Sequence, residues 1–190
     1  MITKDNIDLY ATYIHVYNMM LNSKNIMNSE YIEKNIIERI KKFPKVLRLQ
    51  NEEKQNIGML ATIYGMFDVV NIALSDKVAS TQTDINGKNI GIYLSETIYY
   101  EKQNVRDWFR QDDFIDDLLI KALKNPIASI QQDNNGNNIG MNVARRKSVK
   151  VVKTALKNPI ASKQKNKRGE TILDIAYKTN LLEEKTRNGR

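Results

Sequence analysis

The sequence predicts an all-α fold: a helical solenoid of about four to five stacked units behind a degenerate helical cap at the amino-terminal end. Three observations predict it. One stretch of sequence returns at a period of 33 residues, each copy carries apolar residues at helical spacing, and turn-forming dipeptides recur with the same period.

The repetition is plainest in ALKNPIAS, which occupies 122–129 and returns at 155–162. Working back, Asn138-Ile139-Gly140 matches Asn89-Ile90-Gly91 and Asn56-Ile57-Gly58, so Asn56, Asn89, Asn138 and Thr171 mark one point in successive units. Their spacings of 33, 49 and 33 residues place a 16-residue insertion in one unit, at about 98–113. Pro44 lies 33 residues before Lys77, which makes FPKVLRLQN the end of an earlier, degenerate unit.

Taken in order, residues 1–44 read as the cap, with helices over about Asp5–Leu21 and Ser29–Lys42 separated by Asn22-Ser23-Lys24-Asn25. A terminal unit has no neighbour on one side and departs from the pattern for that reason. His15 sits among Tyr10, Tyr13 and Tyr17 and is expected to be packed or capped. Residues 45–190 form the repeats. Val69, Val70 and Leu74, then Leu118, Leu119 and Leu123, then Val151, Val152 and Leu156 give each second helix an apolar stripe. Asp84-Ile85-Asn86-Gly87 and Asp133-Asn134-Asn135-Gly136 put Asn-Gly where a tight turn needs positive φ, and Asn125-Pro126 and Asn158-Pro159 end the second helices. Each anchor asparagine caps a helix start by accepting backbone N–H bonds, and the isoleucine after it is buried. Leu181-Leu182-Glu183-Glu184-Lys185 begins a last outer helix before a polar tail.

These units resemble the ankyrin repeat. Gly169-Glu170-Thr171-Ile172-Leu173-Asp174-Ile175-Ala176 is similar to the family's G-x-T-P-L-H-x-A, with Ile for Pro and Asp for His. The run from Ala61 to Leu74 is similar to A-A-x-x-G-x-x-E-V-V-x-x-L-L. Three units replace Thr-Pro-Leu-His by Asn-Ile-Gly. The resemblance covers roughly 45–182. It implies an ankyrin-type solenoid that binds a protein partner through its concave face, on hairpin tips and inner-helix ends. Mapped by the period, the implied partner-binding residues are Tyr64, Lys88, Glu96, Asn135, Arg145, Arg146, Lys167, Arg168 and Lys178.

Composition narrows the function from the other side. In 190 residues there is no cysteine and one histidine, which removes thiolate metal sites, thiol nucleophiles and nearly every histidine relay. The paired carboxylates Glu52-Glu53, Asp112-Asp113 and Asp116-Asp117 read as solvated surface, and no Gly-Lys-Ser/Thr loop is present. We expect no enzyme activity, no cofactor and no metal. MITKDNIDLY lacks the basic-then-apolar pattern of a leader, and no apolar run approaches the roughly 20 residues that span a bilayer. The expectation is a monomeric cytoplasmic protein, of the producing cell or of a host, without membrane contact.

The net charge of +8 is lopsided: residues 145–190 hold 14 basic against four acidic residues, and the rest is slightly acidic. A protein partner with an acidic patch is therefore expected. Nucleic acid, as part of a nucleoprotein complex, is the alternative, because the cluster Arg145–Lys153 with Lys163–Arg168 can meet phosphates but lacks interleaved aromatic rings. The insertion adds Arg106, Trp108 and Arg110, whose composition is that of an interface anchor. Read together, these features give a protein-binding effector or inhibitor.

Overall fold

The computed structural model describes residues 4–23, 29–97, 109–146 and 148–182. Among the described residues the chain is all-helical, with nine α-helices, four short 3-10 turns and one isolated antiparallel bridge between Gln50 and Asn56. It forms two compact units, Met1–Ile85 and Asn86–Arg190.

The first unit holds α1 (Lys4–Ser23), α2 (Ser29–Lys42), α3 (Ile57–Ile63) and α4 (Phe67–Ser75), with 3-10 turns at Pro44–Arg48 and Ala79–Thr81. The helices pack as two neighbouring pairs, α1 with α2 and α3 with α4, joined through α1 to α3 and α2 to α4. Tyr13, Val16 and Met20 of α1 and Ile32, Ile36 and Ile40 of α2 follow helical spacing and are buried. The predicted cap helices are present, but His15 is exposed rather than packed. Ile7, Tyr10, Ile14 and Leu21 of the same helix are exposed too.

Met66 offers α4 no side-chain cap, and α2 supplies one instead: Glu33 Oε1 accepts from the N–H groups of Asp68 (2.8 Å) and Val69 (3.2 Å). Burial raises the Glu33 carboxyl above its usual range, against the pull of those two N–H groups. At the other end of α4, Asp76 accepts from Arg48 Nε (3.0 Å) and from the N–H groups of Val78 and Ala79 (2.9 Å each). Burial opposes its ionisation, but the Ala79 N–H, the Arg48 guanidinium and the Val78 N–H outweigh that and hold Asp76 below the usual carboxylate range.

The second unit holds α5 (Ile90–Thr97), α6 (Phe109–Lys124), α7 (Ile139–Arg146), α8 (Val149–Leu156) and α9 (Ile172–Lys178), with 3-10 turns at Ala128–Ile130 and Ala161–Lys163. Helices α5, α7 and α9 form an inner row, and α6 packs on α8 in an outer row. Ile90, Ile92 and Leu94, Ile139, Met141 and Val143, and Ile172 and Ile175 line the inner row. Ile115, Leu118, Leu119, Val151 and Val152 close it from outside. Leu156, expected in the outer stripe, is half-buried, and Ala155 occupies the core position beside it.

Gly140 is required by close approach. A Cβ there would stand 2.5 Å from Ile172 Cδ1 and 2.7 Å from Ala155 Cβ, so α9 and α8 come against α7 where its backbone is bare.

The anchor asparagines hold each unit together. Asn56, Asn89 and Asn138 are completely buried. Each side-chain oxygen accepts from the N–H three residues on, at Met59, Ile92 and Met141 (2.9–3.0 Å). Each side-chain Nδ2 donates to the carbonyl of Ala79, Ala128 or Ala161 in the following 3-10 turn, and to the Oε1 of Gln82, Gln131 or Gln164. Every polar atom of a dry side chain is thereby satisfied, as burial demands. The fourth anchor is a local capping box, in which Thr171 Oγ1 accepts from the Asp174 N–H and Asp174 Oδ2 accepts from the Thr171 N–H.

Candidate functional site

In the second unit the exposed face is made of two recurring parts, a tight hairpin and the end of an inner helix. The hairpin follows from residue chemistry. Asp133 Oδ1 accepts from the N–H groups of Asn135 and Asn137 (2.8 Å each), and Asn166 Oδ1 from those of Arg168 (2.9 Å) and Glu170 (3.0 Å). Gly136 and Gly169 then adopt φ of +76° and +75°, the left-handed conformation that glycine takes without strain. Successive tips are tied by backbone bonds from Asn134 N–H to the Asn86 carbonyl (2.8 Å) and from Lys167 N–H to the Asn135 carbonyl (2.9 Å). Asn135, Lys167 and Arg168 stand exposed on this edge.

Each tip is braced to its own inner helix. The residue just before the anchor meets the residue seven after it, one inner helix away. In the first repeat of this unit Lys88 Nζ pairs with Glu96 Oε2 at 2.8 Å. In the next, Arg145 Nη2 donates to Asn137 Oδ1 at 2.9 Å. In the last, Lys178 Nζ pairs with Glu170 Oε1 at 2.6 Å. Asn166 Nδ2 links the last two braces, donating to Asn137 Oδ1 (3.1 Å) and Glu170 Oε2 (3.0 Å). The Asn166 amide and the Lys178 ammonium hold the Glu170 carboxyl below its ordinary range, so it stays ionised at neutral pH. Arg145 has a second fixed bond, from Nη1 to Asn142 Oδ1 at 2.9 Å.

Arg146 has another job. Expected beside Arg145 as an exposed partner-binding residue, it is half-buried, and its Nη1 donates to the carbonyls of Leu94 and Ser95 (3.0 Å each). These carbonyls belong to the last turn of α5, where unsatisfied acceptors need a donor and a cation is favoured. One repeat on, Thr179 Oγ1 makes the matching bond to the Ala144 carbonyl of α7 (3.1 Å).

The structure thus brings Lys88, Glu96, Asn135, Arg145, Lys167, Arg168 and Lys178 onto the tips and inner-helix ends of one unit. Tyr64 belongs to the first unit, half-buried at the end of α3. Arg106 and Trp108 lie outside the described residues, with most of the 98–113 insertion. Arg110 falls within α6 by its backbone, and its side chain is outside what is described. Asn137 was mapped to a hairpin tip, whereas Asn142 and Asn166 were not singled out in the sequence, although two signals were present. Asn166 takes the hairpin position held by Asp84 and Asp133, and Asn142 takes a position that is apolar at Leu60 and Ile175.

No protein-family model and no curated protein matches this chain. Among solved structures it is similar to a chain from the complex of a predatory endopeptidase from Bdellovibrio bacteriovorus with an immunity protein. The identity is 20% and the TM-score 0.37, over 85% of this chain and 91% of that one. At that TM-score the two backbones differ too much for the partner of one to inform the other.

Proposed function

We propose that this chain is a non-enzymatic protein-binding module of the ankyrin-repeat type. In this reading it acts in the cytoplasm as an inhibitor or effector, engaging an acidic protein surface through the tips and inner-helix ends of the second unit. The observation that carries the reading is the row of braces. Lys88, Glu96, Arg145, Glu170 and Lys178 are long, rotamer-rich side chains already fixed by partners in the free chain. Fixing them beforehand removes much of the ordering entropy that association otherwise costs, about 0.5–1.5 kcal/mol per immobilised side chain. The return of hairpin, anchor and helix pair at a 33-residue spacing supports the ankyrin-type assignment.

The test is site-specific photo-crosslinking in the producing cell or its host. A photoreactive residue at Asn135 or Lys167 is expected to capture one discrete protein, whereas the same residue at the exposed Pro126 or Pro159 is not. The opposite pattern removes the reading.

One observation favours a second reading. Lys153, Lys157, Lys163, Lys167 and Arg168 are exposed, and none joins an ion pair among the described residues. Such a surface suits phosphates, and binding to duplex or single-stranded DNA that weakened steeply between 50 and about 200 mM salt would favour it.

A further inference from the structure

The three braces of the second unit occupy equivalent positions but differ in charge. Lys88 and Lys178 are each neutralised by a glutamate. Between them, Arg145 is held by two neutral amide oxygens, Asn137 Oδ1 and Asn142 Oδ1. Its guanidinium is therefore fixed in direction by neutral acceptors, and among the described residues no carboxylate is in direct ion-pair contact with it, although Glu170 attracts it from farther off.

Asn142 makes this arrangement hard to explain as packing. Its counterparts four residues after the other anchors are Leu60 and Ile175, which are buried core residues, and the half-buried Tyr93, so Asn142 is the one amide at this position and it is buried. Asn142 is 8% exposed, and its Nδ2 has no hydrogen-bond partner among the described residues. A buried N–H left unmade destabilises the fold, and a leucine would avoid that penalty. What the asparagine supplies in return is the acceptor that orients Arg145.

A guanidinium has five N–H donors in one plane, and this one uses two on the protein. The remaining edge of a half-exposed arginine suits a planar two-oxygen anion. The nearby ionised Glu170, which Arg145 helps to keep charged, penalises a dianion more than a monoanion.

We propose that Arg145 is a pre-oriented binding site for a single carboxylate of an acidic protein segment, with Asn142 and Asn137 as its positioning residues. This rests on the protein-binding reading above and names the group that the middle of the face recognises.

The experiment follows the Arg145 Nε–Hε resonance in the full chain while titrating a blocked hexapeptide of alternating aspartate and glutamate, and separately a ten-nucleotide DNA strand. The peptide is expected to shift the resonance saturably and more tightly than the DNA. Asn142→Leu is expected to melt no lower than the wild type yet bind the peptide at least fivefold more weakly. Asn142→Ala gives the same loss should leucine not fit. Arg145→Lys keeps the charge without the fork and should lose a similar factor.

An unmoved Arg145 resonance, tighter binding of DNA, or an Asn142→Leu chain that binds like the wild type each overturns the proposal. The last outcome would mean that charge alone matters. Crosslinking from Asn135 and Lys167 does not depend on Arg145, so the protein-binding reading can stand when this proposal falls.

Discussion

At the residue scale the anchor asparagines show how much of this chain was legible. That Asn56, Asn89 and Asn138 start helices follows from their side-chain chemistry and from the apolar run behind each. Their second bonds, to alanine carbonyls in the following 3-10 turn, could not be read, because those partners lie 23 or 39 residues on and meet the amide only in the fold. Asn138→Ala should therefore cost more than a cap alone, about 2–4 kcal/mol against about 1 kcal/mol for Thr171→Ala, read by urea unfolding. Asp76 gives a pH test. Its carboxyl is lowered in the fold, so its contribution is complete above the unfolded value near pH 4 and lost as pH falls through the lower folded value. Asp76→Asn should destabilise by about 1–3 kcal/mol at neutral pH and converge on the wild type in acid. Glu33 runs the other way: its raised carboxyl favours the fold at low pH, a gain that fades as pH rises through the folded value.

At the element scale, the helices of each repeat were legible from stripe, cap and turn, whereas the distance between neighbouring helices was not. Asn-Ile-Gly reads as a capped helix start, and nothing local says that its glycine is a contact surface. A Cβ on Gly91 meets the movable tip of Ile139 and stands 3.0 Å from Ala122 Cβ, whereas one on Gly140 also runs into Ala155 Cβ at 2.7 Å, which cannot rotate away. Gly140→Ala should accordingly be the more costly of the two, at about 1–3 kcal/mol, with Gly91→Ala milder in the same thermal melts. The Arg146 tie was hidden for a similar reason. Two adjacent arginines look alike in sequence, but on α7 one points to the hairpin brace and the other caps α5. Arg146→Glu should lower the melting temperature, and Arg145→Gln should leave it nearly unchanged while weakening partner binding.

At the scale of the whole molecule, repetition predicted the all-helical class because each unit must borrow a neighbour to bury its apolar face. The insertion obeys no period, and its conformation was not legible. Within the second unit contacts are between neighbours, so a core truncation should act regionally. Leu119→Ala in α6 should cost about 2–5 kcal/mol and raise amide exchange from Ile90 to Lys178 before it does so in α1 and α2. The forward tie of each anchor also sets how this unit yields to force. Pulled from its carboxy-terminal side, α9 yields first, because its anchor is a local capping box and, among the described residues, makes no side-chain tie forward to a following 3-10 turn. The next step has to break the Asn138 bonds to Ala161 and Gln164 together. The 33 residues from Asn138 to the next anchor then run out as roughly 110 Å of extended chain. A motor that threads this protein from that end works against a toothed load, with one buried amide as each tooth.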